Sequence, residues 1–149
     1  QKVTERFNKR ESILADLKPV LYIVIIISVV EILAMILFGE GLFKILFGNS
    51  WAFSGKISRI MVWSFAFNFI VSTFTAIFVS MRKIRVYSVY QLIYFLAILS
   101  LLFFIKLDFL NFLKTYVIIE VLCYTVLSIT IVCLISQYEN SLKKISKEV

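Results

Sequence analysis

Histidine is absent from these 149 residues, proline occurs once and cysteine twice. The missing histidine removes the commonest metal ligand and general base. Cys123 and Cys133 stand in one apolar run, about 15 Å apart along a helix, which is beyond disulfide reach within that helix and unlike zinc spacing. No glycine-rich phosphate loop, G-x-S-x-G elbow or Ser/His/Asp set occurs either. The chain does not read as an enzyme, and no metal or cofactor is expected. Charge is also scarce: 17% of residues are Asp, Glu, Lys or Arg, against about 25% in a soluble domain. What fills the space is hydrophobic, at 61%.

Four runs are nearly free of charge. Val20 to Phe38 contains only Glu31, Ile60 to Met81 and Val86 to Ile105 contain no charged residue, and Thr115 to Ser136 contains only Glu120. Each supplies the ~20 residues that a helix needs to cross about 30 Å of hydrocarbon. The runs are apolar all round rather than on one face, and the period-two alternation of barrel strands is missing. The expected fold is an all-α membrane protein with four transmembrane helices, over about 19–38, 51–81, 86–105 and 114–136.

Residues 1–18 precede the first span as a basic lead. Val3, Phe7, Leu14 and Leu17 fall at roughly helical spacing, which predicts an amphipathic helix on the membrane surface or an extension of the first span. Pro19 suits a first-turn position. Nothing in the lead resembles a cleavable signal peptide, and the start at Gln1 sets the expectation that it continues from an upstream part of a longer protein. Residues 137–149 are expected to form a polar tail. The lead, the 82–85 loop and the tail carry eleven of the 16 basic residues, and the opposite side carries five. Cytoplasmic sides are rich in Lys and Arg, so both ends are expected in the cytoplasm. The net charge of +7 is thereby explained by topology. Nucleic acid is not an expected partner, whereas membrane lipids are.

All four glycines fall between residues 39 and 55, on the connection from the first span to the second. Gly39 and Gly41 would let the first helix end or bend, Leu42 to Phe47 would lie in the interface, and Gly48 would supply a positive φ. Asn49 or Ser50 would cap a helix opening at Trp51, and Gly55 would let that helix pass close to a neighbour.

Phe47, Gly48, Trp51, Ala52 and Gly55, preceded by a hydrophobic helix and followed by a long one ending in the basic MRKIR loop, resemble the C-terminal part of Wzx-type polysaccharide flippases. These O-antigen transporters share a superfamily with the MATE drug exporters. The resemblance spans nearly the whole chain and rests on the FG-x-x-W turn. It implies that these helices are the C-terminal portion of a MATE-like bundle in the bacterial inner membrane, with N-terminal helices of the same chain missing here. The implied activity is translocation of undecaprenyl-pyrophosphate-linked oligosaccharide, coupled to a proton or sodium gradient, with other polysaccharide assembly proteins as further partners. The four charge-poor runs contain no Lys or Arg, so a basic cavity lining would come from the missing helices.

Polar groups within the spans are the candidates for a substrate or ion pathway. Glu31 lies about 20 Å above the cytoplasmic face and Glu120 about 9 Å below the outer one. Glu31, further from an interface, is the first candidate for proton coupling and Glu120 the second; the structural alternative for both is a carboxyl hydrogen-bonded between helices. Ser64, Asn68, Ser72 and Thr75 form one stripe, Tyr87, Gln91 and Tyr94 another, and Tyr116, Glu120, Tyr124 and Ser128 a third. Asn68, Gln91, Tyr116 and Tyr124 join the two carboxyls as pathway candidates, with helix packing as the alternative for the stripes. Lys56 and Arg59 would meet lipid headgroups or an anionic sugar. Two other classes fit the same features: a small four-helix proton-coupled multidrug exporter, and a non-transporting interaction or immunity protein.

The orientation is tested by single cysteines in a background lacking Cys123 and Cys133. An impermeant thiol reagent applied to intact spheroplasts is expected to label positions 49 and 108 and to spare 83 and 144; labelling at 83 would invert the topology.

Overall fold

The computed structural model describes residues 2–104 and 106–148. Gln1, Ile105 and Val149, at the edges of the expected lead, third span and tail, lie outside them. Six helices follow in order: α1 Lys2–Asn8, α2 Leu14–Phe47, α3 Ala52–Phe74, α4 Ala76–Ser80, α5 Ile84–Leu99 and α6 Phe109–Glu148. Short 3-10 turns occupy Asn49–Trp51 and Ser100–Phe104, and no strand occurs among the described residues. Four segments are long and apolar enough to cross a membrane: Leu14–Phe47, Asn49–Ser80, Ile84–Phe103 and Phe109–Lys144. The protein is an all-α, multi-pass membrane protein.

Several helix ends differ from those expected. Gly39 and Gly41 lie inside α2, which runs through them to Phe47 and leaves no separate interfacial turn. At 34 residues, α2 measures about 51 Å and exceeds the ~30 Å of hydrocarbon. It begins at Leu14, so Pro19 sits in the second turn rather than the first. The second span breaks at Thr75 between α3 and α4, where the Ser72, Thr73 and Thr75 hydroxyls donate to carbonyls of their own helix. Such back-bonding competes with the helical ladder and bends it. The tail is not distinct, because α6 continues to Glu148. Gly48 does stop α2, with φ at 94°, but neither Asn49 nor Ser50 caps the next helix through its side chain.

Two further helix ends use arginine where glycine is usual. Arg10 and Arg82 both have φ of 56°. After α1, Arg10 N donates to Phe7 O and Glu11 N to Arg6 O; after α4, Arg82 N donates to Val79 O and Lys83 N to Phe78 O. These paired bonds form the Schellman arrangement, which satisfies the last carbonyls of a helix and ordinarily places glycine in the left-handed position.

The α2–α3 hairpin closes most tightly at its turn end. A Cβ added to Gly55 would lie 2.5 Å from the Glu40 Cα and 2.9 Å from the Gly39 carbonyl oxygen, so the two backbones touch. Arg59 reaches across the same crossing and donates to Glu40 at 3.2 Å. At the opposite end the core gathers around Ile13, Val71, Ile77, Phe78, Met81, Tyr90, Leu127 and Ile131. The lead folds against this end: Phe7 meets Tyr138 at 5.0 Å between rings, and Thr4 pairs with Ser80 at 2.9 Å. Glu139 of α6 accepts hydrogen bonds from Ser12 Oγ and Ile13 N, both at 3.0 Å. A carboxylate thus caps the N-terminus of α2, where the helix dipole favours negative charge.

Gly55→Ala forces backbone apart and is expected to cost about 1–3 kcal/mol of stability. Gly41→Ala, with nothing within 4 Å of its added Cβ, is expected to be neutral or to gain up to ~1 kcal/mol from helix propensity. Unfolding of the two variants in detergent checks this; equal effects would remove the tight crossing.

Candidate functional site

The buried face of α6 presents Leu113, Val117, Glu120, Leu127 and Ile131 at spacings of three, four or seven residues. A helix with that periodicity turns one side toward its neighbours, and Glu120 occupies the middle of that side at 4% exposure. Its two oxygens are engaged from two other helices. Ser64 Oγ of α3, itself buried, donates to Oε2, and Tyr94 OH of α5 donates to Oε1 at 2.6 Å. A carboxyl inside a membrane span is expensive unless it finds such partners. Here the partners bring α3 and α5 to α6.

An ionised carboxyl only accepts hydrogen bonds, whereas a protonated one must also donate. Ser and Tyr hydroxyls can reverse from donor to acceptor. A proton arriving at Glu120 therefore changes the direction of one bond, to Ser64 or to Tyr94, without opening the site.

Next to Glu120 lies a cleft of about 150 Å³ between α3, α5 and α6. Asn68, Ser72 and Thr75 line one wall, Tyr87, Tyr90, Gln91 and Tyr94 the other, and Tyr124 and Leu127 come from α6. The tyrosines form a continuous ladder. Ring centroids are 6.4 Å apart from Tyr87 to Tyr90, 6.3 Å from Tyr90 to Tyr94 and 5.9 Å from Tyr94 to Tyr124. Phe78 extends the ladder at 5.3 Å from Tyr87, and Gln91 donates to Tyr87 OH at 2.6 Å. Aromatic faces with hydroxyl and amide edges offer both stacking and hydrogen bonding.

The structure brings Asn68, Gln91 and Tyr124 together at this cleft, and Glu120 joins them through Tyr94, which lines it. Tyr116, one turn before Glu120, lines a separate apolar space with Phe95, Leu101 and Phe112, while its hydroxyl is near Glu120. Glu31 is half-buried on α2, a helix that contributes nothing to the cleft. Arg59 is engaged by Glu40 rather than free for headgroups, while Lys56 is exposed. Ser64 and Tyr94 stood in the sequence only as members of polar stripes, and their role as the partners of Glu120 went unread. Tyr90 was missed, although the spacing of Tyr87, Tyr90 and Tyr94 by three and four residues already places them on one face. Among the described residues no three His, Cys, Asp or Glu side chains gather as a metal site would require. Compared with known proteins, the chain matches no family model, no curated protein and no solved structure, which leaves the geometry of the Glu120 site to carry its functional reading.

Proposed function

We propose that the chain is part of a bacterial inner-membrane flippase that moves undecaprenyl-pyrophosphate-linked oligosaccharide to the periplasmic leaflet, with Glu120 as its proton-coupling group. The observation that carries this reading is the buried carboxyl of Glu120, held by hydroxyls from two other helices beside a tyrosine-lined cleft. A group that shifts a hydrogen bond between helices on protonation links proton binding to helix arrangement, as alternating access requires. The role passes from Glu31, the first choice on depth alone, to Glu120, because hydroxyls of two other helices engage Glu120 and one of them, Tyr94, lines the cleft.

Oligosaccharide as the cargo is supported by the FG-x-x-W turn. Gly48 ends α2 with its positive φ, and Phe47 packs on Trp51 at 5.5 Å between rings. The motif thus builds the turn of the α2–α3 hairpin, the place it holds in the flippases that the sequence resembles. The tyrosine faces of the cleft are of the kind that stack on sugar rings. A proton-coupled multidrug exporter would use the same carboxyl, with a cationic drug as cargo.

The test is transport by the full-length protein in proteoliposomes under a proton gradient. Glu120→Gln keeps size and hydrogen-bonding capacity but cannot titrate. It is expected to lower gradient-driven flipping of lipid-linked oligosaccharide by at least about tenfold, ~1.4 kcal/mol, at unchanged membrane abundance. Tyr94→Phe should fall between Glu120→Gln and the native protein, and Glu31→Gln should remain near the native rate. Undiminished gradient-driven flipping by Glu120→Gln would overturn the coupling role. Proton-driven uptake of cationic drugs without flipping would favour the exporter.

A further inference from the structure

We infer that an apolar groove between α2, α3 and α6 is a binding site for one anionic phospholipid of the leaflet on the side of the chain termini. The groove has a volume of about 430 Å³, within the ~300–1,000 Å³ range of small-ligand sites. Leu17 and Leu21 of α2, Phe74 of α3 and Val132 and Ile135 of α6 line it. On α6 the apolar part runs from Ser128 to Ser136, about 12 Å of helix, close to the ~15 Å depth of one leaflet.

The charged residues of the groove sit at one end. Lys18, Glu139, Asn140 and Lys143 line it there, at the level where α2 enters and α6 leaves the membrane. Both lysines are exposed. Oε1 of the one carboxylate among them, Glu139, accepts from Ser12 Oγ and Ile13 N of the lead, and the two lysines outnumber it. Asp16, the nearest other acid on α2, pairs with Arg6 at 2.6 Å. Two ammonium groups therefore face the headgroup level above a slot suited to an acyl chain, which is the charge pattern of an anionic phospholipid. A zwitterionic lipid would match the slot but not the lysines. The site is separate from the Glu120 cleft and does not depend on what the protein transports.

A single-tryptophan reporter tests the assignment in the full chain: Val132→Trp with Trp51→Phe and Trp63→Phe. Vesicles of phosphatidylcholine are titrated with brominated phosphatidylglycerol or brominated phosphatidylcholine, and quenching of the reporter gives the relative affinity. Phosphatidylglycerol is expected to be preferred by at least about fivefold, ~1 kcal/mol, which is the contribution of a single cationic side chain near a lipid surface. Lys18→Gln with Lys143→Gln should bring the ratio close to one. A ratio near one with both lysines present, or a preference that survives their removal, overturns the proposal. So does the absence of quenching by either lipid, which would place a protein segment in the groove. Native mass spectrometry of the chain with its own tryptophans, with and without the lysine substitutions, gives the same comparison should the reporter fold poorly. Retained phosphatidylglycerol that is lost with the lysines supports the site, and equal retention overturns it.

Discussion

Inside hydrocarbon, an apolar side chain gains almost nothing by leaving lipid for the surface of another helix. The outward faces of this protein obey that rule, since leucines, isoleucines and phenylalanines of all four spans stand exposed. What joins the spans has to be something lipid cannot supply, namely close backbone approach or a partner for a polar group. Two joints between the spans are of these kinds. Gly55 against Glu40 is the first kind, and Glu120 with Ser64 and Tyr94 is the second.

These joints divide the molecule by depth. At the turn end, α2 and α3 are held by bare backbone contact and the Arg59–Glu40 pair. In the middle, a single carboxyl gathers α3, α5 and α6. At the end bearing the termini, packing more like that of a soluble protein takes over, with the lead, α4 and the part of α6 from Tyr124 to Tyr138 around an aliphatic and aromatic core. The polar cleft lies between the middle joint and this core.

Hydropathy made the four spans legible, because ~20 charge-poor residues in succession have few other uses. Helix ends were less legible, and the glycines show why. Gly39 reads equally as a stop or as a small residue beneath a neighbour; the structure makes it the second, with Arg59 and the Gly55 carbonyl 3.4 Å from where its Cβ would be. The candidate site was half legible for a similar reason. Glu31 and Glu120 are each a lone carboxyl in an apolar run, and depth can be counted from the sequence. Which of them faces other helices depends on rotation about the helix axis. On α6 the stripe of Tyr116, Glu120, Tyr124 and Ser128 records that rotation, whereas the run around Glu31 carries no comparable stripe.

The two arginines in left-handed conformation connect folding with biogenesis. A left-handed residue other than glycine costs roughly 1–2 kcal/mol, so glycine at position 82 would ease the turn after α4. A guanidinium drawn to the middle of a bilayer costs about 2.5–3.5 kcal/mol on insertion scales. The local strain is the smaller quantity, and it accompanies a charge that would oppose drawing the α4–α5 turn into hydrocarbon. At Arg82 the best residue for the finished structure and the best residue for reaching it are different, and substitutions there would trade conformational ease against fidelity of insertion.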